Sequence, residues 1–431
     1  MWLPHLADVA RMTQVLSDHA AALGLPGAVT GVRLLDARLT HPHRPESPRC
    51  RAWATYLVTV RDAAPVQLYV KGFPAGGASE AAWQQERALR PAARSTHLPE
   101  LDLVVWRFPE DPQLTALPDL VTPRRAARTL PPVVRDVLGL PEGAEPRVTV
   151  VRYQPEASVT LRLEAGLETG PSGGPSVFAK HLADGTVAEI AARHQALWSM
   201  SDSARGLRIA EPLAVDPVRR VLWTRGVAGR PLTETVRPDG LPEATAPLGP
   251  LLAALHASSV ATTSSIGVDD LLVEAHKKAD KLARAHPPIA PLVTGLVAAA
   301  TTRRRDVVRE RGCTLHGDFH LDQLVSSAAG PVLVDLDSLL VGPPEVDLAE
   351  FLVDLALRDL PGAVTHQVAR ALLSSYTAPT GADVDAALLS VCADAEFVNR
   401  CYRHLRRHSP GWESDLEAEL ARHAAVTSLL P

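Results

Sequence analysis

The sequence predicts an α+β protein in which two strand-rich units precede a mostly helical half. Two stretches of apolar residues with strand-like spacing occur before residue 230, and each includes a segment with helical spacing. After residue 245, almost every segment except 313–345 is rich in Ala and Leu at helical spacing. The chain has 431 residues, of which 46% are hydrophobic, so it can bury a core larger than that of one usual domain. Two or three packed units are therefore expected.

The first strand-rich stretch lies within residues 1–145. Residues 1–24 have helical spacing. The elements predicted next are the strands RAWATYLVTV and PVQLYVKGF, which form a hairpin across the turn RDAAP, the helix ASEAAWQQERAL and the strand LDLVVWRF. The Pro-rich and Arg-rich residues 108–146 then predict helical segments and a linker.

The second strand-rich stretch, residues 146–228, repeats this order. It contains the hairpin RVTVVRYQP and ASVTLRLEAG, the strand SVFAKHL, the helix TVAEIAARHQALWSM and the strand VLWTRGV. Each stretch carries one lysine near a strand end, Lys71 in the first and Lys180 in the second. The similarity indicates either a partial internal duplication or two antiparallel sheets that share these features without a common origin.

Composition disfavours several classes of function. The 44 basic and 49 acidic residues give a net charge of −5, so no basic excess points to a nucleic-acid partner. The four cysteines lie far apart without a CxxC pair, which disfavours a disulfide framework or zinc ribbon and favours a reducing compartment. The N-terminus has no signal-peptide pattern, and no stretch of about 18 apolar residues occurs. We therefore predict a soluble cytoplasmic protein, with no membrane or nucleic-acid partner.

The segment LHGDFHLDQLV, residues 315–325, places Asp318 and Gln323 on one loop. Asp335 and Asp337 follow in the apolar run VLVDLDS, where alternation along an extended segment directs both side chains to one face. Phosphoryl transfer needs one carboxylate that orients the attacking hydroxyl and two oxygen ligands for Mg²⁺. The spacing thus predicts that these side chains converge at a phosphoryl-transfer site.

The segments HGDFHLDQ, VLVDLDS and GPPEVDLAEF resemble the catalytic loop, metal-binding segment and trailing Asp-Leu-Ala element of the aminoglycoside phosphotransferase and choline kinase-like family. The resemblance covers residues 146–360. It implies a bilobal protein-kinase-like fold, with a small mixed β-sheet nucleotide lobe and a mostly helical C-terminal lobe. It also implies transfer of the ATP γ-phosphate to a small-molecule hydroxyl. Family members commonly have Asn in place of Gln323, and Gln there is similar to the maltokinase-like sugar kinases, which carry an extra N-terminal α/β cap.

The resemblance assigns roles to individual residues. Asp318 would be the catalytic base, with His316 bracing its loop, His320 beside it, and Asp347 capping the next helix and holding the loop in place. The residues that would hold Mg²⁺ are Gln323, Asp335 and Asp337. The residues that would bind ATP are Lys180, its partner Glu189, Ser158 in the hairpin turn, and the hinge residues Trp223, Thr224 and Arg225. No glycine-rich phosphate loop is visible, so Ser158 and backbone N–H groups would take its place.

The resemblance also implies a division of the chain into a cap (1–145), a nucleotide lobe with its hinge (146–228) and a helical lobe with the acceptor site (229–431). Lys180 precedes His316 by 136 residues, which accommodates the path of that fold, whereas Lys71 would leave the second hairpin as an insertion. The acceptor would be a sugar, amino sugar or aminoglycoside, bound by a monomer or simple homo-oligomer. The charge of the acceptor stays open. A cationic acceptor is favoured by the acidic residues Asp394, Glu396, Glu413 and Asp415, and disfavoured by the neighbouring Arg400, Arg403, Arg406 and Arg407.

Two alternatives stay open at this point. A kinase-fold protein could bind a nucleotide or metabolite without transferring phosphate; the missing glycine-rich loop and Gln323 favour this, whereas Lys180 and the catalytic carboxylates disfavour it. The helical segment CYRHLRRH places Cys401, His404 and His408 on one face at a spacing that could bind zinc. Three arginines in the same segment disfavour a bound dication.

Overall fold

The computed structural model of the protein describes residues 3–40, 51–74, 76–90, 94–166, 174–201, 206–260, 262–307, 311–376 and 384–431. Within these ranges no helix is both long and apolar enough to cross a membrane. The predicted α+β class is confirmed: two five-stranded sheets occupy the first 225 residues, and helices dominate the remainder.

The first sheet is built from the N-terminal residues. Its strands are β1 (Val29–Thr40), β2 (Arg51–Val60), β3 (Val66–Gly72), β4 (Ser95–Leu98) and β5 (Leu103–Arg107), in the antiparallel order β1-β2-β3-β5-β4. The accompanying helices are α1 (Leu3–Ala7), α2 (Val9–Asp18) and α3 (Ala78–Leu89). The predicted hairpin and α3 are confirmed, whereas β1 was not expected. Leu16 of α2 and Tyr56 and Leu68 of the sheet are buried in one apolar core.

The second sheet follows three short helices, α4 (Leu117–Val121), α5 (Pro123–Thr129) and α6 (Pro132–Leu138). Its strands are β6 (Arg147–Gln154), β7 (Ser158–Glu164), β8 (Ser176–Leu182), β9 (Pro212–Asp216) and β10 (Val221–Arg225), with α7 (Val187–Met200) between β8 and β9. The order is β6-β7-β8-β10-β9 and every pairing is antiparallel, so the expectation of a mixed sheet was wrong. Strand β9, which follows β8 through α7, runs in the same direction as β8, but β10 lies between them, so no two neighbouring strands are parallel.

Helices α4 and α6 share a core with the second sheet. Leu117 and Leu138 are fully or almost fully buried against Leu161, Val177 and Trp223. Apolar burial on this scale, at about 25 cal/mol per Å², favours folding of these helices together with the sheet. The packing therefore groups them with the second sheet and not with the first.

Residues 226–229 connect β10 to the helical lobe. Its helices are α8 (Leu232–Thr235), α9 (Leu241–Thr245), α10 (Leu248–His256), α11 (Val268–Ala285), α12 (Ala290–Arg303), α13 (Glu345–Leu357), α14 (Gly362–Ser375), α15 (Ala386–Arg407), α16 (Trp412–Leu420) and α17 (His423–Thr427). Two small sheets lie among them, one formed by β11 (Arg230–Pro231), β13 (Leu324–Ser327) and β14 (Gly330–Leu333), the other by β12 (Cys313–Leu315) and β15 (Leu340–Gly342). This sheet-rich part joined to a helical part is the two-lobed arrangement that the sequence predicts.

Candidate active site

The loop from His316 to Gln323 runs from β12 to β13 and carries the predicted catalytic residues. Its sharp turn requires glycine at position 317, where φ is +76°. A Cβ atom there would also overlap the carbonyl oxygen of Ser338 and the side chain of Leu340. Any other residue would strain this backbone, so Gly317 fixes the direction in which the loop leaves the small sheet.

Asp347 in the first turn of α13 holds this loop in place. Its fully buried carboxylate accepts hydrogen bonds from the backbone N–H of His316 (2.7 Å) and of Gly317 (2.9 Å), and His256 Nε2 lies 3.0 Å from it. The helix N-cap is Pro344, so the expectation that Asp347 caps α13 was wrong. A carboxylate three residues into the helix faces the loop instead and serves as its anchor.

Replacing Asp347 with Asn is expected to destabilise the protein by about 3 to 5 kcal/mol, because three donors converge on the carboxylate and an amide offers one acceptor oxygen and one competing donor. Urea unfolding of the purified variant measures this. Asp359→Asn, on an exposed loop residue, is the matched control and should change the free energy of unfolding by less than about 0.5 kcal/mol. Equal stability of the two variants would contradict the anchoring role.

His316 braces the loop from inside. Its side chain is fully buried, and Nε2 lies 3.0 Å from the carbonyl oxygen of Val334. The backbone N–H of Val334 in turn donates to Gln323 O at 3.0 Å, which continues the pairing of β13 with β14. The two segments that carry the predicted catalytic and metal residues are therefore tied together through the backbone.

Asp318 lies at the open side of the loop, where its side chain is 42% exposed. Gln323 Nε2 donates to Asp318 Oδ2 at 3.2 Å, and His320 Nε2 lies 3.6 Å from the same oxygen. Burial alone would raise the pKa of Asp318, but the neighbouring His320, together with His316 and Arg400, lowers it to about 2. The carboxylate is thus ionised at neutral pH and available to accept a hydrogen bond from a hydroxyl.

Asp335, Asp337 and Lys180 form the second part of the site. The Lys180 ammonium on β8 lies 2.5 Å from Asp335 Oδ1 and 2.5 Å from Asp337 Oδ2. The two aspartates were expected in an extended segment, but Asp335 has a left-handed backbone (φ 61°) and a 3₁₀ turn follows it. Both side chains still reach one point, because the tight turn compensates for the lost alternation. Strained backbone of this kind is concentrated at functional sites.

The charges at this point do not balance. Two carboxylates meet one ammonium. Burial raises the pKa of Asp337, the charge of Lys180 offsets only part of this rise, and the charge of Asp335 adds to it. The pKa of Lys180 is raised as well, since the two carboxylates outweigh the effect of its burial. A second cation would complete the neutralisation of this cluster.

The donor set of this cluster suits Mg²⁺. No group of three or more His, Cys, Asp or Glu side chains that could bind a metal occurs in the described ranges. Mg²⁺, however, is usually held by only one or two carboxylates together with substrate phosphates and water. Asp335 and Asp337 supply hard oxygen ligands, and because Gln323 Nε2 is directed to Asp318, its amide oxygen is left for another partner. The residues therefore fit the ion that the resemblance implies.

The sequence matches one known protein family over most of its length after residue 135. The model of a family described as "Phosphotransferase enzyme family" matches residues 136–386, which is more than half of the chain. The chain belongs to this phosphotransferase family. No curated protein matches it in sequence.

Solved structures resemble this phosphotransferase at low identity. A thermostable mutant of an aminoglycoside phosphotransferase has 16% identity and a TM-score of 0.48, covering 65% of this chain and 94% of that chain. Choline kinase from Streptococcus pneumoniae has 10% identity and a TM-score of 0.45, covering 65% and 93%. A macrolide 2'-phosphotransferase from Brachybacterium faecium has 15% identity and a TM-score of 0.41, covering 69% and 95%.

Glu189 does not take the position expected of it in this phosphotransferase. Its carboxylate lies 3.5 Å from Arg193 on the next turn of α7 and accepts from Thr263 Oγ1 at 3.4 Å, whereas Lys180 contacts the two aspartates. The expected pair of Lys180 with Glu189 was therefore wrong. Arg193 of α7 does contact this region, since it donates to the carbonyl oxygen of Leu339 at 3.2 Å.

The turn between β6 and β7 is occupied by contacts within the phosphotransferase. The backbone N–H of Glu156 donates to Asp111 at 3.0 Å, and that of Ala157 donates to Gln154 O at 3.1 Å. These N–H groups are thus not free to bind phosphate, contrary to expectation. Ser158 is the first residue of β7, and its hydroxyl lies 3.4 Å from the side-chain amide of Gln154, a weak contact that leaves it able to rotate.

The first sheet fixes the same turn. Lys71 of β3 lies 2.6 Å from the Glu156 carboxylate, and Tyr153 OH donates to Asp111 at 2.8 Å. Asp111 is fully buried and its other oxygen accepts from two further backbone N–H groups. Sequence reasoning missed this network. Its one local signal is an aspartate followed by proline after a strand, a common start of a turn.

The predicted hinge residues end β10. The Trp223 side chain is buried in the core below the second sheet, so only its backbone could contact a ligand. Thr224 pairs with Phe178 of β8, and the Arg225 guanidinium is bonded to Glu211. The connection itself begins one residue later, at Gly226, whose N–H donates to Ser176 O at 2.8 Å.

His404 and His408 have structural partners in this phosphotransferase. His404 lies 3.1 Å from Glu419, and His408 stacks on Trp412 with 5.2 Å between ring centroids. Cys401 is fully buried in the helical core. These contacts give the face that could have bound zinc a packing role.

Proposed function

We propose that this phosphotransferase is an ATP-dependent kinase that transfers the γ-phosphate to a hydroxyl of a sugar, amino sugar or aminoglycoside. One observation carries the proposal: Lys180 of the sheet-rich lobe meets Asp335 and Asp337 of the helical lobe at 2.5 Å, and backbone pairing joins these aspartates to the loop that carries Asp318. Phosphoryl transfer depends mainly on positioning and charge stabilisation, which this arrangement can supply.

Each residue has a proposed part in this reaction. Lys180 would bind the α and β phosphates, Asp335, Asp337 and the Gln323 amide oxygen would hold Mg²⁺, and Asp318 would orient the acceptor hydroxyl. Bound Mg²⁺ would supply charge neutralisation to the triphosphate. Gln323 would also hold Asp318 in place through the 3.2 Å hydrogen bond.

We further propose that the N-terminal residues act as a cap on the nucleotide lobe, with the helical lobe starting near residue 229. The ion pair of Lys71 with Glu156 and the contacts of Asp111 support this bracing role. Because α4 and α6 pack on the second sheet, the cap would end near residue 110 and not at residue 145.

The test is ADP release by the purified protein with Mg²⁺ and ATP, measured with maltose, glucosamine, glucuronate, glucose 6-phosphate, an aminoglycoside and choline as acceptors. Acceptor-dependent ADP release that is lost in Asp318→Asn supports the proposal. Tight ATP binding without any acceptor-dependent turnover would instead identify a nucleotide-binding protein that does not transfer phosphate.

Replacing Asp335 with Ala is expected to weaken binding of Mg²⁺-ATP by at least about ten-fold, because the metal loses a carboxylate ligand. Calorimetric titration of ATP with and without Mg²⁺ measures the loss of affinity. The affinity should fall in the titration with Mg²⁺ and stay unchanged in the titration without it. Gln323→Asn keeps the ligand type and should retain part of the activity. Unchanged Mg²⁺-ATP affinity in Asp335→Ala would mean that the metal binds elsewhere.

A further inference from the structure

Helix α15 directs a row of charged side chains along one face beside the catalytic loop. Glu396, Arg400, Arg403 and Arg407 recur at intervals of three or four residues and therefore share this face. Arg400 is neutralised, since its Nε donates to Glu396 at 2.8 Å and NH1 lies 3.3 Å from Asp354. Arg403 and Arg407 have no carboxylate within ion-pair distance among the described residues, and Arg403 lies in the field of Asp318.

The N-terminal sheet adds to this row from the opposite side. Strand β1 packs against α15, and a small cavity between them is lined by Arg38 and Trp53 on one side and by Arg407 and His408 on the other. The Arg38 guanidinium lies 5.4 Å from the centre of the Trp53 ring. The rest of its lining is apolar, and it has room for about one water molecule, so a larger anion would bind beside this cavity and not inside it.

The nucleotide lobe contributes a further arginine. With its amide oxygen facing the two guanidiniums, Gln154 accepts from Arg152 NH2 at 2.8 Å and from Arg38 NH2 at 3.2 Å. We call Arg38, Arg152, Arg403, Arg406 and Arg407 the arginine cluster. In the part of the chain that the structure describes, Asp36, 3.5 Å from Arg38 Nε, is the one carboxylate paired with any of the five.

The arginine cluster carries an uncompensated positive charge. Burial lowers the pKa of Arg38, and the charges of Arg406, Arg152 and Arg407 lower it further against the opposing effect of Asp36. Arg38 is half-buried and the other four arginines are exposed. Like charges brought together in this way raise the free energy of the protein, by less where solvent screens them. An anion bound among them would relieve this repulsion.

Two of the four acidic residues that a cationic acceptor could use are already engaged. Asp394 is buried and bonded to Arg303 and His423, and Glu396 is bonded to Arg400. The acidic side chains on this stretch of α15 are therefore occupied inside the helical lobe, whereas the cations beside Asp318 are not.

We propose that the acceptor of this enzyme carries an anionic group, a carboxylate or a phosphate, which the arginine cluster binds while Asp318 faces the reacting hydroxyl. The inference rests on the proposed function and specifies its substrate class. From Arg403 to Arg407, α15 rises by about 6 Å, which is comparable to the width of one sugar ring. An acidic sugar or sugar phosphate matches this span.

The test measures binding in the absence of ATP, so that it does not depend on turnover. Glucuronate and glucose 6-phosphate are titrated into the full-length protein, with glucose as the neutral match and inorganic phosphate as the anion without a ring. We expect both acidic sugars to bind at least ten-fold more tightly than glucose and more tightly than phosphate. The preference should weaken with added salt, as binding by guanidinium groups does.

Substitutions in the arginine cluster test whether it causes the preference for acidic sugars. Arg403→Gln and Arg407→Gln should each weaken binding of the acidic sugars by about ten-fold, and the double variant should bind glucuronate no better than glucose. Affinity for Mg²⁺-ATP should not change, and the melting temperature should not fall, because each substitution removes a repelling charge. Arg370→Gln, on an exposed residue of α14, is the matched control and should bind like the wild type.

Three outcomes would overturn the inference: equal binding of glucose and the acidic sugars, tighter binding of an aminoglycoside than of either, or a loss in the two variants that affects Mg²⁺-ATP instead of the acidic sugar. The last outcome would assign the cluster to the nucleotide phosphates. A protein that prefers acidic sugars but transfers no phosphate would keep this inference and refute the proposed kinase activity, so the two failures are distinguishable.

Discussion

Replacing Asp318 with Asn is expected to lower kcat by at least about 100-fold while leaving Mg²⁺-ATP affinity nearly unchanged. The carboxylate is bonded to Gln323 and lies near His320, but it touches neither Lys180 nor the aspartates of the proposed metal site. Its loss should therefore affect the acceptor hydroxyl and not nucleotide binding. Steady-state kinetics and ATP titration of the same preparation measure the two effects separately.

The low pKa of Asp318, about 2, specifies how it would act. A carboxylate with a depressed pKa is ionised at every pH above that value, so its contribution should be lost only as the pH falls towards about 2. Such a weak base orients the hydroxyl and accepts its proton late, once the phosphate bond is largely formed. The profile of kcat/KM should accordingly show no acid limb from this residue near neutral pH.

A matched control for Asp318 lies on the same loop. Asp322 accepts from Arg358 at 2.9 Å and from Thr233 at 3.2 Å, so its carboxylate belongs to a structural network. Asp322→Asn should cost some stability and change kcat by only a few-fold. Wild-type turnover in Asp318→Asn, or an equal loss of kcat in both variants, would refute the catalytic assignment.

The catalytic loop could be predicted from sequence because its contacts are local. Asp318 and Gln323 are five residues apart, and the hairpin of β13 and β14 brings the segment of Asp335 back beside them. The exact backbone could not be predicted, since alternation describes an extended strand and Asp335 has a left-handed conformation. The two aspartates do meet at Lys180, but the extended backbone from which this was predicted does not occur at Asp335.

Two of the missed contacts join segments that are distant in sequence. The pair of Lys71 with Glu156 spans 85 residues, and the contact of Arg193 with Leu339 spans 146. Strand β1 was also missed, because its polar and charged residues give little apolar alternation and its stability comes from pairing with β2 and packing against α2. Contacts of this kind depend on the tertiary structure and cannot be predicted from a local sequence pattern.

Replacing Lys180 with Ala is expected to lower ATP-dependent turnover by about 1,000-fold, equivalent to roughly 4 kcal/mol of transition-state stabilisation. Lys180 is the cation that faces Asp335 and Asp337. Without it, the negative charges of the two carboxylates and of the α and β phosphates would repel each other with one positive charge fewer to offset them. ATP affinity should fall as well, because the same contact exists in the ground state. Measurements of kcat and of ATP affinity test both parts.

Lys71→Ala is the informative comparison, because Lys71 occupies the corresponding strand of the first sheet. Its ammonium is paired with Glu156 at 2.6 Å, and both side chains are partly exposed, at 19% and 25%, so the ion pair contributes about 1 kcal/mol or less. The variant should loosen the turn between β6 and β7 and change turnover by no more than a few-fold. An inactive Lys71→Ala beside an active Lys180→Ala would transfer the nucleotide site to the first sheet and overturn the assignment of the lobes.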